Sequence, residues 1–261
     1  MASAREPYEG FARFYDVFTA ASDYESWTAH MIALAERHGW AGGTVLDVAC
    51  GTGNSLLPFA RRGFEVAGCD LSPAMLAEAA GKVPDVPLME ADMRRLPSLG
   101  EFDLVTCFDD SLNHLLDEGD LDSAVASMAR NLGASGLLLF DLNTLLTYRT
   151  TFALDGVARQ GELTFVLHGE SSPDAPPGCR ASLHIEVFAE REDGLYERHS
   201  TRLAQRHFPP HQVTAAIADA GLECLGVLGV LADGLPVPEM DETCQLKTLY
   251  LARLAKGGDP E

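Results

Sequence analysis

Val45-Leu46-Asp47-Val48-Ala49-Cys50-Gly51-Thr52-Gly53-Asn54 is an apolar strand pattern that runs into a glycine turn and then into a helical segment. A strand apolar on both faces must be covered on both, and a chain that repeats strand and helix meets that demand with a parallel sheet between helical layers. The rhythm continues in Glu65-Val66-Ala67-Gly68-Cys69, Phe102-Asp103-Leu104-Val105-Thr106-Cys107 and Leu137-Leu138-Leu139-Phe140. Between these runs, Gly63 closes the segment that begins at Asn54. Ser72-Pro73 caps and opens a helix through Ala80, and Leu121, Val125, Met128 and Leu132 make a buried stripe.

Residues 6–22 and 24–38 read as two helices ahead of the first strand. The second carries Trp27, Met31, Leu34 and Ala35 at helical spacing and stops at Gly39. After Phe140 the rhythm changes. Leu163 to His168, Ala181 to Glu190 and Leu195 to Phe208 read as antiparallel strands, with an Glu192-Asp193-Gly194 turn and a Ser, Pro and Gly-rich loop from Gly169 to Gly178. A helix from His211 to Ala220, stopped by Gly221, and strands near 222–231 and 245–254 return to the main sheet. The expected fold is α/β, a doubly wound, mostly parallel seven-stranded sheet with a helical N-terminal cover and a small antiparallel β insertion. It divides into 1–150, the cover and ligand-binding core, 151–210, the insertion, and 211–261, the completion of the sheet.

Charge narrows the partners. The 261 residues hold 39 Asp and Glu against 19 Lys and Arg, a formal charge of −20. Such a surface repels phosphate and excludes nucleic acid and anionic membrane as expected partners. No apolar run approaches the roughly 18 residues of a membrane span, and the first residues lack an apolar signal core, so the expected compartment is the cytoplasm. Six cysteines without a Cys-x-x-Cys pair read as reduced thiols, and eight histidines without ligand spacing predict no metal site.

In an open α/β sheet, ligands bind beyond the carboxyl ends of the strands, where the turn at Gly51 and Gly53 falls. Asp70 ends the next strand, 17 residues past Gly53, where a carboxylate accepts hydrogen bonds from two ribose hydroxyls. Asp92, beside Met93, ends a third strand and suits an adenine amino group. Three strand ends thus converge on one nucleoside. Asp47, inside its strand, reads as an anchor for the turn rather than a ligand, and Met75 as core. Trp27 suits packing of the cover helix or stacking on a ligand, and Cys50 needs only to be small.

The set Asp-x-Ala-Cys-Gly-Thr-Gly, Cys-Asp-Leu-Ser-x-x-Met-Leu and Ala-Asp-Met resembles the class I S-adenosylmethionine-dependent methyltransferases. Asp23-Tyr24-x-x-Trp27, Asp110-Ser111-Leu112-Asn113-His114, Phe140-Asp141-Leu142-Asn143 and the β insertion are similar to a bacterial small-molecule subgroup with an antiparallel lid, over about Tyr15 to Leu254. The resemblance implies S-adenosyl-L-methionine as methyl donor, S-adenosyl-L-homocysteine as product, and a small acceptor methylated on O or N. It also implies that Ala49, Gly51 and Gly53 meet the methionine part, Asp70 and Leu71 the ribose, Asp92 and Met93 the adenine, and Phe108 the sulfonium side. Tyr15 resembles a tyrosine that closes over the cofactor.

Methyl transfer from a sulfonium needs a base only when the acceptor must lose a proton. The family topology puts His114 near that point, against the alternative of a capping or surface histidine. His199 and His207 are further candidates: equal parity puts both on one side of the last insertion strand and Arg206 on the other. Two rival functions remain. One is a cyclase or lyase that binds S-adenosylmethionine without methyl loss. The other is an NAD-dependent oxidoreductase, weakened by Leu56 where a third glycine would stand.

Overall fold

The computed structural model describes residues 5–255. The N-terminal cover is α1 (Arg5–Glu9), α2 (Ala12–Phe18) and α3 (Tyr24–Arg37). The first half of the core follows as β1 (Thr44–Val48), α4 (Leu56–Arg61), β2 (Glu65–Asp70), α5 (Pro73–Lys82), β3 (Leu88–Glu90), β4 (Phe102–Cys107), α6 (Asp120–Ala129) and β5 (Leu132–Asn143). A short α7 (Leu145–Arg149) leads into β6 (Asp155–Gln160), β7 (Leu163–Glu170), β8 (Arg180–Glu190) and β9 (Tyr196–Arg206). The chain returns through α8 (Pro210–Asp219), β10 (Leu222–Val230), β11 (Pro236–Val237) and β12 (Lys247–Leu254).

The main sheet runs β11-β10-β12-β5-β4-β1-β2-β3, with β1 to β5 parallel and β12 antiparallel to both of its neighbours. Its two faces follow from the period of two along each strand. Leu46, Val105 and Leu138 turn toward the α6 and α8 residues Val125, Met128, Val213 and Ile217. Val45, Leu104 and Leu139 turn toward Met31 and Leu34 of α3 and Leu56 and Phe59 of α4. β1 lies between β2 and β4, so the strand order reverses there and opens a crevice at the carboxyl ends. The second sheet, β6-β7-β8-β9, packs Phe165, Ile185, Val187 and Leu203 onto Phe11, Phe14, Tyr148 and Phe152, so it rests on the N-terminal cover and the segment after β5.

The structure departs from the sequence reading at several elements. The helix expected over 6–22 is two, interrupted at Gly10 and Phe11, because Phe11 turns into the lid core at 1% exposure instead of continuing the helical face. Leu132 opens β5 rather than closing α6, and the lid gains a fourth strand, β6, whose Asp-Gly-Val-Ala-Arg-Gln sequence lacks an apolar alternation. The main sheet has the seven expected strands plus the two-residue edge strand β11. All six cysteines are unpaired: Cys50, Cys69 and Cys107 are core thiols, Cys179 and Cys224 are half-buried, and Cys244 is exposed. Among the described residues no helix is long and apolar enough to cross a membrane.

Gly136 sits in β5 beside Phe102, the first residue of β4. A Cβ there would lie 2.6 Å from the Phe102 carbonyl oxygen and 3.0 Å from that of Gly133, so backbone rather than a flexible side chain would have to move. Gly136→Ala is therefore expected to lower stability by about 1–3 kcal/mol, a shift that urea unfolding measures directly.

Candidate active site

The crevice is a cavity walled on one side by the strand ends. After β1 the backbone turns through Ala49 and Gly51, with φ of 59° and 55°. That conformation directs the Gly51 N–H onto Asp70 Oδ2 at 2.9 Å, while Asp70 Oδ1 accepts the Ser72 N–H at 2.8 Å. Burial pushes the Asp70 carboxyl up, against these two N–H donors. Asp70 thus fastens the glycine turn to the start of α5 and keeps lone pairs for a ligand. Asp47 anchors the same turn from beneath: Ser55 and Thr106 hydroxyls donate to its two oxygens at 2.5 and 2.7 Å. Burial raises its pKa to about 6, against those two hydroxyls.

Tyr15, Ala49, Gly51 and Asp70 line this cavity, as do Leu71, Asp92, Met93 and His114. Gly53 does not. Its Cβ position faces Ala79 and Val83, so its part is to let the turn pack on α5. Phe108 also stands outside the cavity lining, edge-on to Trp27 at 5.8 Å between ring centres. Met75, read as core, is buried at 3% exposure and still reaches the cavity wall. Asp92 is already engaged: Arg94 grips it through Nε at 3.0 Å and a terminal nitrogen at 2.7 Å, and reaches Asp120 at 3.2 Å. The Arg94 contact holds the Asp92 carboxyl below its usual range.

The far end of the cavity is built on a pair of strained residues. Asp109 and Asp110 follow β4 with φ of 59° and 53°, both left-handed, and their N–H groups donate to the two oxygens of buried Asp141 at 2.7 and 3.1 Å. Lys247 Nζ then meets Asp141 at 2.7 Å, Asp110 at 2.8 Å and Asp109 at 3.1 Å. Burial works against the Lys247 ammonium, but the three carboxylates outweigh it and push its pKa well up. Burial likewise raises Asp109, yet Lys247 and the hydroxyls of Tyr24 and Tyr15 prevail and hold it below the usual carboxylate range. Those two hydroxyls donate to one oxygen, Asp109 Oδ2, at 2.8 and 3.2 Å.

His114 belongs to this end. Its Nδ1 lies 3.0 Å from the Ala204 carbonyl oxygen, which can only accept, so Nδ1 carries the proton and Nε2 holds the lone pair. The Tyr8 hydroxyl donates to Nε2 at 2.9 Å. Burial lowers the His114 pKa below its ordinary value, against the fields of Asp110 and Asp109. The neighbouring Asn113 donates to the Arg206 carbonyl at 2.8 Å and accepts the Asn143 N–H at 2.9 Å, so the same segment clamps the lid strand to the core.

His199 and His207 are not brought here, and the parity argument fails for a physical reason. β9 ends at Arg206 and does not extend to His207. His199 lies against Phe14 and Arg13, with ring centres 4.8 Å apart, on the side that packs the cover. His207 is buried beneath the lid, accepting the Gly178 N–H at 3.0 Å and meeting Glu242 at 3.0 Å. Sequence reasoning missed Tyr8, Arg94, Gln205 and Lys247. Of these, only Arg94 has a sequence signal, two residues beyond Asp92.

The cover is fastened to the turn by Asp16, which accepts from the Thr52 hydroxyl at 2.6 Å and Asn54 Nδ2 at 3.0 Å and pairs with Lys82 at 2.8 Å. The lining, a glycine cradle, Asp70 at the end of β2, Asp92 just past β3 and the apolar Leu71, Met75 and Met93, matches in its chemistry a nucleoside carrying a thioether or sulfonium arm.

Comparison with known proteins gives the same direction. A profile described as a methyltransferase domain matches residues 45–136. A putative methyltransferase of Geobacillus sp. (strain WCH70) is 30% identical over 88% of this chain and 94% of its own. The dTDP-4-amino-2,3,4,6-tetradeoxy-D-glucose N,N-dimethyltransferase of Saccharopolyspora spinosa is 33% identical over 81% of this chain and 84% of its own. An S-adenosylmethionine-dependent methyltransferase structure from Clostridium acetobutylicum ATCC 824 superposes with a TM-score of 0.80 at 24% identity, covering 95% of this chain and 99% of the other.

A raised Asp47 binds a proton in the folded chain that the unfolded chain has already released between about pH 4 and 6. Its contribution to stability therefore falls as pH rises through that window, by up to about 1.4 kcal/mol per pH unit. Asp47→Asn is expected to remove that component, and urea midpoints of both proteins from pH 4 to 7 would show the two curves converging toward acid.

Proposed function

Because the chain belongs to the S-adenosylmethionine-dependent methyltransferases, we propose that this cavity binds S-adenosylmethionine through Asp70, Leu71, Asp92 and Met93, with the methyl-bearing arm toward Tyr15 and His114. The observation that supports this most is the meeting, along one wall, of the Gly51 cradle, Asp70 at the end of β2 and Asp92 two residues past β3, with a lone-pair-bearing histidine at the other end. The acceptor is a small organic molecule methylated on N or O.

The bound sulfonium supplies an activated methyl group. Held by Asp70, Leu71, Asp92 and Met93, it would give that methyl to the lone pair of the acceptor atom, the electrons of the carbon–sulfur bond staying on sulfur. Little covalent chemistry is asked of the chain, so its residues orient, exclude water and move one proton. Asp70 orients the ribose through lone pairs left after Gly51 and Ser72. Tyr15 and the cover helices, held down through Asp109 and Asp16, close the site to solvent. His114 Nε2 receives the acceptor's proton through the Tyr8 hydroxyl it already accepts from. A nicotinamide reading finds no support in the relatives, which are methyltransferases by name.

Two outcomes are expected. Asp70→Ala should weaken S-adenosylhomocysteine binding about tenfold or more by calorimetry, since unpaired hydroxyls in a closed site cost roughly 1–3 kcal/mol. Unchanged affinity in a folded variant would take Asp70 out of the site. His114→Ala should spare that affinity while lowering turnover by about 10²–10⁴-fold. Because burial lowers the His114 pKa, the wild-type rate should rise below the ordinary histidine range and be level by neutral pH, and a level profile at every pH would refute proton transfer.

A further inference from the structure

A second cavity, of about 600 Å³, lies on the other side of Asp109. Its volume falls in the range of roughly 300–1,000 Å³ that encloses a small organic ligand. Tyr24 and Trp27 of α3 form one wall, and Leu231 and Leu246, 42% and 48% exposed, present an apolar mouth. The two cavities share Asp109. Tyr15 of the first and Tyr24 of the second donate to the same Asp109 oxygen, so a molecule filling the second ends against the reacting end of the first.

The lining also states a charge. Among the described residues around this cavity, Lys247 is the one Lys or Arg, and its three N–H bonds are directed at Asp109, Asp110 and Asp141. Asp23 and Asp233 add negative charge at the walls. A phosphate here would meet carboxylates and no cation free to pair with it, which is unfavourable in a partly desolvated site. An ammonium would meet the Asp109 carboxylate, with the aromatic side chains of Tyr24 and Trp27 in the same lining. The Saccharopolyspora spinosa relative, by its name, acts on a dTDP-linked amino sugar, which carries a diphosphate.

Resting on the methyl-transfer reading above, we propose that the second cavity receives the acceptor, and that the acceptor is an amine on an apolar alkyl or aryl body without phosphate. The ammonium form is drawn in, passes its proton to water at the cavity mouth, and presents the nitrogen lone pair at Asp109; the proton released after methylation goes to His114. The body remains between Trp27 and Leu246.

The test uses the full chain with methyl-labelled S-adenosylmethionine and two kinds of probe: the amines 2-phenylethylamine, cyclohexylamine and octylamine, and a nucleoside-diphosphate amino sugar. It is repeated with Ala232→Trp, which fills the mouth at an exposed lining position, and S-adenosylhomocysteine binding is measured for both proteins. The expected result is label on at least one phosphate-free amine with kcat/KM at least about tenfold above the diphosphate sugar. Ala232→Trp should lower it about tenfold or more and leave S-adenosylhomocysteine affinity within about twofold. Equal or better transfer to the diphosphate sugar, transfer to no amine while the wild type binds S-adenosylhomocysteine, or an unaffected Ala232→Trp overturns the proposal. Loss of S-adenosylhomocysteine binding in that variant also overturns it, by giving the cavity to the donor. A wild type that binds no S-adenosylhomocysteine refutes the underlying cofactor reading instead.

Discussion

The Lys247 ammonium is the tie on which the site hangs. It stands at the first residue of β12 and joins Asp141 near the end of β5 to Asp109 and Asp110 after β4. Through Asp109 it reaches Tyr15 and Tyr24 of the cover, and through Asp110 it reaches Gln205 on the lid. Three carboxylates gathered without a cation would repel one another and lose hydration. With it, the C-terminal strand, the parallel core, the cover and the lid share one electrostatic centre, placed where both cavities end.

That centre explains how the peripheral layers are kept closed. α1 and α2 are short helices that contribute little stability by themselves, since isolated helices of under about 12 residues are marginal in water. Their order comes from contacts with the core: Phe11 and Phe14 in the lid cluster, Asp16 on the glycine turn, Tyr8 on His114 and Tyr15 on Asp109. Those contacts combine aromatic packing in the lid cluster with hydrogen bonds at the rim of the crevice.

The parallel half of the fold was legible because its strands are continuous apolar runs, and buried strands of that kind leave a local trace. β6 left none. Its residues are nearly all polar or small, and it exists by pairing with β7 rather than by any pattern of its own. The same distinction divides the site. Gly51, Asp70 and Asp92 lie at strand ends, where spacing along the chain reports position in space. Lys247 meets Asp141 across 106 residues and Gln205 meets Asp110 across 95, and an antiparallel return strand or a lid strand gives no count from which such a meeting can be read. His207 shows the opposite error: its parity with His199 was sound only for a strand that continues, and β9 stops one residue short of it.

The left-handed backbone of Asp109 and Asp110 restricts what descendants of this chain can carry there. Glycine would relax the conformation but surrender the carboxylates that hold Lys247, and alanine or a branched residue would keep the strain and lose the charge as well. Asparagine tolerates the turn and keeps an acceptor, at the loss of one negative charge per exchange. Drift at these two neighbours is thus confined to a narrow set of short polar side chains, and each permitted step changes the charge that surrounds Lys247.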